Sequence, residues 1–378
     1  MIINTQAHHA IRSIMAVGIL MTGACAAPVT IRNAPRLCQP AKEPSMNAET
    51  QNVRQRAEAI ARVERDEGLG CEGNPTGDPV GGGPGYRAIF TNGDFIVRTT
   101  AELLGALQHA KPGQRIFIPA GATIDLGGQE NIDLPPGITL AGTRGLNDST
   151  GGRIVMRHKQ NGSYYLFRTA GDHVRLTGLT FEGPDGDNGQ HNGYANLLVT
   201  THHGFEMDNC EVANWGYGAV VGQPGASGIY VHHSYIHHCQ GAAHDGYGVC
   251  LDACDARIIA NKLAAVRNHV IAGTGNPGTA YEAAYNWVDG NFDMHGGADR
   301  GDGTNIGGDW MDIHHNSFQQ KHAVNCITRG IPSQNARLHH NRFAASLKTS
   351  SGYTKAELAT RNITSYRNLN GPDNILEE

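Results

Sequence analysis

Apolar residues recur along the chain with a fixed internal spacing. Two apolar positions lie five residues apart, and most copies carry a small or amide residue at the fourth position between them. Successive copies start 24 to 31 residues apart. The copies begin at Leu176, Met207, Val231, Ile258, Ala283, Ile313 and Leu338. A repeat of this length indicates one structural unit that is stacked many times.

A second apolar run, with the composition of a strand, follows each copy. Examples are 218–222, 248–253, 269–273, 291–296 and 323–330. A single coil of about 25 residues cannot bury its inner face, but stacked coils can. A β-sandwich would instead show hairpin alternation about every 8–12 residues, and the sequence lacks it. The pattern therefore predicts an all-β fold, a right-handed parallel β-helix (solenoid).

Asparagine occupies the fourth position of four consecutive copies, as Asn261, Asn286, Asn316 and Asn341. Asparagine tolerates left-handed bends, and stacked asparagine side chains can form hydrogen bonds from one coil to the next. We expect these residues both to bend the coils and to connect them.

The segment before the repeats predicts a cap. Thr99 or Thr100 can begin an amphipathic helix that carries Leu103, Leu104 and Leu107, and Pro112-Gly113 ends it. A helix at this place can cover the open end of the first coil. We assign residues 99–378 to the β-helix domain with this N-terminal capping helix, and residues 28–98 to a linker and a helical segment.

Residues 1–27 have the pattern of a signal peptide. Arg12 precedes an apolar run that is too short to span a bilayer, and small residues follow it. We expect a secreted, extracellular or periplasmic protein without a membrane span. Cys25 would be the lipid attachment site if the protein were a lipoprotein. Cys38 and Cys71 can form a disulfide in an oxidising compartment.

The charge distribution limits the partners of this chain. The formal net charge is −5, from 30 basic and 35 acidic side chains, and no basic run is present. A nucleic-acid-binding protein needs clustered positive charge, so we expect no nucleic acid partner. An anionic substrate would require basic groups gathered locally, or a bridging metal ion. Nothing in the sequence indicates an organic cofactor.

The opening AELLGALQHAKPGQRIFIPAG and the asparagine-containing coil signature resemble the pectate-lyase-like superfamily of right-handed parallel β-helices. The resemblance extends from about Thr99 to the C-terminus. It implies a secreted enzyme acting on polysaccharides, such as a polysaccharide lyase or a C5-epimerase. The coil signature by itself indicates the fold and not the activity.

Polar residues interrupt the apolar runs of three consecutive coils. They are Arg267, His269, Asp293, His295, Asn325 and Arg329. Alternation along a strand places Asp293 and His295 on one face, and likewise Arg267 and His269. Counted from the coil asparagines, His269, Asp293, His295 and Asn325 fall within about a residue of the same register. We predict that these side chains form one patch.

Such a patch suits proton abstraction from a uronate, whose C5 proton is acidified by the neighbouring carboxylate. Arg267 and Arg329 would hold the carboxylate, His269 or His295 would act as the base, and Asp293 would orient a histidine. Asn325 is a further candidate substrate contact. The Phe292-Asp-Met-His run is similar to the Asp-Pro-His motif of mannuronan C5-epimerases, with methionine in place of proline. The sequence leaves lyase and epimerase open, because both begin with this proton transfer.

Other residues support other activities. Tyr281 and Glu282 lead into the coil of Asp293 and are candidate substrate contacts; Glu282 and a loop aspartate would be the carboxylate pair of a glycoside hydrolase. Asp299, Asp302 and Asp309 lie in an inserted loop and are candidate ligands for Ca²⁺. A non-catalytic, glycan-binding β-helix is the third alternative.

Overall fold

A computed structural model describes most of the chain after residue 67. The described residues are 68–157, 162–185, 193–241, 245–264, 266, 269–297, 303–319, 326–344, 355–370 and 374–376. The chain divides into two compact units, Met1–Glu67 and Gly68–Glu378, and the described residues all belong to the second. The predicted signal peptide, Cys25 and Cys38 lie outside these residues.

Three sheets form the body of the second unit, and the chain passes from one to the next in every coil. Sheet A contains β1 Phe95–Ile96, β2 Arg115–Phe117, β5 Thr139–Ala141, β8 Arg175–Thr177, β11 Glu206–Asp208, β14 Ile229–His232, β17 Asp255–Ile259, β20 Ala280–Ala284, β23 Trp310–His314, β26 Asn335–His339 and β28 Ile363–Tyr366. Sheet B contains β3 Thr123–Asp125, β6 Gly152–Val155, β9 Leu179–Glu182, β12 Glu211–Ala213, β15 Tyr235–His237, β18 Lys262–Ala264, β21 Trp287–Val288, β24 Ser317–Phe318, β27 Arg342–Phe343, β29 Asn368–Asn370 and β30 Asn374–Leu376. Sheet C contains β4 Ile132–Leu134, β7 Gly162–Thr169, β10 Gly193–Thr200, β13 Gly218–Gly222, β16 Tyr247–Leu251, β19 His269–Gly273, β22 Asn291–Met294 and β25 Cys326–Thr328.

Every strand pair of the described residues is parallel except β29 with β30, which closes sheet B. The predicted right-handed parallel β-helix is confirmed, with about eight turns. The apolar positions of the coil signature point inward: Leu176, Phe181, Met207 and Val212 are all fully buried. Like residues meet in neighbouring coils, so that the rings of Phe318 and Phe343 stack with centroids 5.0 Å apart. Stacking of coils therefore builds one continuous core.

The coil asparagines form the predicted ladder. The side-chain amide of Asn286 donates to Asn316 Oδ1 at 2.9 Å, and the amide of Asn316 donates to Asn341 Oδ1 at 3.0 Å. The ladder begins at Asn261 and extends to Asn368, which the sequence pattern missed.

The prediction that the asparagines make the left-handed bends is wrong. The residue before each ladder asparagine adopts a positive φ instead, between 53° and 58°. These residues are Ala260, Tyr285, His315, His340 and Arg367. This arrangement leaves each asparagine side chain pointing inward, where both its amide groups find partners.

Two helices are described in this unit. Helix α1, Thr100–His109, has the predicted capping role: the Thr99 side chain accepts from the Glu102 backbone amide, and Leu103 and Leu107 are buried in the core. Helix α2 is Lys355–Thr360. Two 3₁₀ turns occupy Cys71–Gly73 and Leu146–Asp148. No helix among the described residues is long and apolar enough to cross a membrane.

Residues 68–94 form a strap across the stacked coils, and its direction opposes the order of the coils. It begins near the last coils, where Gly70 N donates to His340 O at 3.0 Å and Cys71 N donates to Ser317 Oγ at 2.9 Å. It ends near the first coil, where Asp94 N donates to Arg115 O at 2.9 Å. Intermediate contacts are Thr76 with His233 at 2.8 Å and Gly83 N with Asn209 Oδ1 at 2.8 Å.

Candidate functional site

A polar row lies on one face of sheet C, at the carboxyl ends of its strands. The register pairs Asp293 of β22 with Ala272 of β19, and two residues later His295 leaves the strand. His295 N donates to Gly273 O at 2.8 Å, and Arg329 N donates to Met294 O at 3.0 Å. The parallel register thus continues past the strand ends and places Arg329 beside His295 on adjacent coils.

Asp293, His295 and Arg329 form a compact cluster. His295 Nε2 lies 2.8 Å from Asp293 Oδ2, and Arg329 Nη1 lies 3.3 Å from His295 Nδ1. Arg329 Nε lies 3.8 Å from Asp293 Oδ1. The Asp293 side chain is fully buried, whereas 23% of the His295 side chain and 37% of the Arg329 side chain are exposed. The histidine and the arginine are therefore open to a ligand, while the aspartate is not.

The geometry assigns a tautomer to His295. The Arg329 guanidinium only donates hydrogen bonds, so Nδ1 of the neutral His295 ring accepts from it and Nε2 carries the proton. Nδ1 then presents its lone pair toward the Arg329 guanidinium. An anionic ligand that binds Arg329 would draw the guanidinium away and leave Nδ1 as a base. The buried Asp293 carboxylate offsets the positive charge that the ring acquires when it takes a proton.

Close backbone packing holds this cluster in place. Gly275 follows β19 with φ of 78°, and a Cβ atom there would lie 1.7 Å from the His295 carbonyl oxygen. Only glycine permits this approach. Beneath the cluster, Tyr281 is fully buried and its hydroxyl donates to the Asp293 carbonyl oxygen at 3.3 Å. Tyr281 thus supports the strand from inside, and this placement corrects the expectation of a substrate contact.

Glu282 lies on sheet A and is not brought to the cluster. Its carboxylate accepts from Arg257 at 2.8 Å and lies 3.3 Å from His314 Nε2. The hydrogen bond from His314, together with Arg257, lowers the pKa of Glu282 to about 2. A hydrolase needs a carboxylic acid with a raised pKa as its proton donor, so Glu282 is unsuited to that role.

His269 is displaced from the predicted register. A bulge follows it, and its backbone pairs with Asn291 rather than with Asp293. The expectation that His269 stacks beside Asp293 and His295 is therefore wrong by two residues. Arg267 and Asn325 lie outside the described residues, and their assignment as site residues stays a prediction.

The predicted calcium ligands are only partly described. Asp299 and Asp302 lie outside the described residues. Asp309 accepts a hydrogen bond from the Ser333 hydroxyl at 3.0 Å. Elsewhere in the described part of the chain, Glu206, Asp208 and His232 could together hold a metal ion. However, Arg175, Thr177 and Tyr86 already donate to Asp208, at 2.8 to 3.0 Å, so this group is an ion-pair network.

Sequence reasoning missed the rest of the polar row. Asp252 N donates to Gly222 O and Thr274 N donates to Leu251 O, both at 2.9 Å, so Asp252, Thr274 and His295 follow one another on adjacent coils. Thr274 Oγ1 and Asn276 Nδ2 each donate to Asp252 Oδ1 at 2.6 Å. The signal was available in the sequence: a polar residue directly follows the apolar run of each coil.

Comparisons with known proteins add similarity of fold. No family model matches the chain, and no curated protein matches it. One similar solved structure is the alginate lyase from Paenibacillus sp. str. FPU-7, with 16% identity and a TM-score of 0.47, covering 75% of this chain and 96% of that one. Another is the PL6 family alginate lyase AlyGC, with 13% identity and a TM-score of 0.35, covering 72% of this chain and 46% of that one. At these values neither protein defines the activity of this chain.

Proposed function

We propose that this protein is a polysaccharide lyase that cleaves a uronate-containing glycan by β-elimination. The observation that supports the proposal is the contact of one partly exposed histidine with both a buried carboxylate and an exposed guanidinium. Arg329 binds the substrate carboxylate and stabilises the charge that develops on it. His295 Nδ1, released from Arg329, takes the C5 proton, and Asp293 holds the ring in position.

The electrons of the C5–H bond form the C4–C5 double bond, and the C4–O bond breaks. The proton on His295 passes to the departing O4 oxygen, so that the histidine is neutral again after each cycle. One residue can serve both steps when the C5 proton and O4 lie on the same face of the ring, as in glucuronate and mannuronate. These two uronates are therefore the preferred test substrates.

The test is the ultraviolet absorbance of unsaturated uronate ends, measured with glucuronan, alginate and polygalacturonate, each with and without Ca²⁺. We expect a rise with at least one polymer. His295→Gln should reduce the rate by about 10²- to 10⁴-fold, the range for loss of a general base, while β-rich circular dichroism stays unchanged. His109→Gln on the exposed face of α1 is the matched control and should keep full activity.

The same tubes distinguish the alternatives. New reducing ends without absorbance would indicate a hydrolase, and inversion at C5 by NMR without chain cleavage would indicate an epimerase. A glycan that binds without any reaction would indicate a binding protein. Full lyase activity in His295→Gln would refute the assignment of the base.

A further inference from the structure

The polar row beside His295 contains the carboxylate of Asp252. A polyuronate chain bound along this row would place one of its own carboxylates close to it. Sheet spacing sets adjacent coils about 4.8 Å apart, so Asp252 lies about 10 Å from His295, with Thr274 between them. A glycan lying along the row with its uronate at His295 and Arg329 places its next two sugar residues over Thr274 and Asp252. These residues therefore lie where the sugars that flank the cleaved uronate would bind.

Asp252 is fixed as an acceptor. Thr274 Oγ1 and Asn276 Nδ2 both donate to the same oxygen, Oδ1, at 2.6 Å, which holds the carboxylate at the row. Asp252 is partly exposed and stands on the face of sheet C that carries Asp293 two coils away. A carboxylate here accepts hydrogen bonds from sugar hydroxyl groups and repels a second carboxylate.

The apolar row next to it adds no net positive charge. Val199, Val221, Cys250 and Ala272 follow one another in register across β10, β13, β16 and β19. In β7, the coil before them, the Arg168 guanidinium pairs with Asp133 at 2.5 Å. Among the described residues of these two rows, Arg329 is the cation placed at the cleaved uronate. The whole chain is likewise acidic, with a formal net charge of −5.

We infer that the substrate is a mixed glycan in which an uncharged sugar flanks the cleaved uronate on the Asp252 side, and not a homopolymer of uronate. This inference rests on the proposed lyase function and names its substrate class. The uronate supplies the one carboxylate that Arg329 binds. The uncharged neighbour donates its hydroxyl groups to Asp252, where a uronate would be repelled.

The size of the discrimination follows from Coulomb's law. Repulsion between the Asp252 carboxylate and the carboxylate of a flanking uronate about 8 Å away weakens binding by about 2-fold at an effective dielectric constant of about 80. At an effective dielectric constant of about 20 it weakens binding by about 30-fold. A partly exposed site lies between these limits. We expect Asp252→Asn to raise kcat/KM on a homopolyuronate by a factor in this range, because asparagine keeps an acceptor oxygen for Thr274 and Asn276 and removes only the charge.

The experiment uses one polymer at several charge densities. Glucuronan is reduced chemically at a graded fraction of its carboxyl groups, which keeps the sugar configuration and the linkage. The wild-type protein should form unsaturated ends faster per remaining uronate on the partly reduced polymer than on the intact one. Asp252→Asn should lose this preference. Asp133→Asn changes the net charge equally, at the far end of sheet C, and should keep it.

The outcomes separate the two proposals. Absence of unsaturated ends from every polymer refutes the lyase function itself. Cleavage with equal rates per uronate at all charge densities leaves the lyase function standing and refutes the inference about the substrate. If Asp252→Asn does not fold, salt provides the readout in the wild-type protein: added salt screens the repulsion and should narrow the preference for the reduced polymer. A preference that salt leaves unchanged contradicts the electrostatic origin.

Discussion

Replacement of Asn316 by alanine tests whether the asparagine ladder holds the coils together. Asn316 is fully buried in the middle of the ladder. Its Oδ1 accepts from the backbone amide of Asn286 at 3.0 Å and from the side-chain amide of Asn286 at 2.9 Å. Its Nδ2 donates to the carbonyl oxygen of Ala283 at 2.8 Å. Alanine would leave these three groups of the preceding coil without their partner.

The magnitude follows from the number of orphaned groups. A buried donor or acceptor that loses its partner costs about 1–3 kcal/mol. Three such groups, partly relieved by relaxation, predict a loss of about 3–6 kcal/mol in the free energy of unfolding. Asn316→Ser should lose less, because Ser234 occupies the equivalent place in an earlier coil and its hydroxyl accepts from the Cys210 backbone amide at 3.1 Å.

The assay is equilibrium unfolding in guanidinium chloride, followed by far-ultraviolet circular dichroism. The exposed Asn92→Ala is the control and should change the free energy of unfolding by less than about 0.5 kcal/mol. If Asn316→Ala loses no more than Asn92→Ala, the ladder contributes no net stability and the reasoning is wrong. A loss of the same size in Asn316→Ser would show that the hydroxyl cannot replace the amide.

Three further predictions concern stability and the site. The pKa of Glu282 is lowered to about 2 in the folded state, chiefly by the hydrogen bond from His314. Its contribution to the free energy of unfolding is therefore fully present above the unfolded pKa of about 4.3 and is lost as pH falls toward 2. Glu282→Gln should therefore reduce Tm at pH 6 more than at pH 3; equal reductions would contradict the ion pair. Burial lowers the pKa of His315 to about 4, so between pH 6.5 and 4 the unfolded chain binds a proton that the folded chain does not, and stability falls as the pH is lowered. His315→Phe should therefore flatten the dependence of Tm on pH in this window. An unchanged slope would show that other groups cause the dependence. Gly275→Ala should displace His295 and lower the lyase rate more than Gly303→Ala, a glycine with open space around it; equal rates would show that the turn adjusts freely.

The coil signature predicted the fold because its chemistry is local and repeated. Apolar residues five positions apart and an amide at the fourth position of successive coils leave few alternatives to a stacked solenoid. The left-handed residue was not predictable in the same way. Ala260, Tyr285 and His315 share no side-chain property, and what they share is the place before an asparagine whose amide must point inward.

The site was predicted in part, for a geometric reason. Alternation placed Asp293 and His295 on one face, and Arg329, which the sequence also named, lies at hydrogen-bond distance from His295. The prediction for His269 was wrong because the coils differ in length: Ala272 lies eleven positions after Asn261, whereas its partner Asp293 lies only seven positions after Asn286. The prediction that Tyr281 contacts the substrate was wrong because counting along a coil does not reveal which side chains point into the core.

The strap of residues 68–94 has a consequence for synthesis. Cys71 binds Ser317, 246 residues further along the chain. At about 5–20 residues per second, the strap leaves the ribosome roughly 10–50 s before its last docking site exists. Each coil contacts its neighbours in the sequence, so the coils can assemble one by one during that interval. The strap can dock only onto coils that have already formed, from the first coil of the solenoid onward. The contacts at Gly70 and Cys71 can therefore form only after the coils up to His340 have been synthesised.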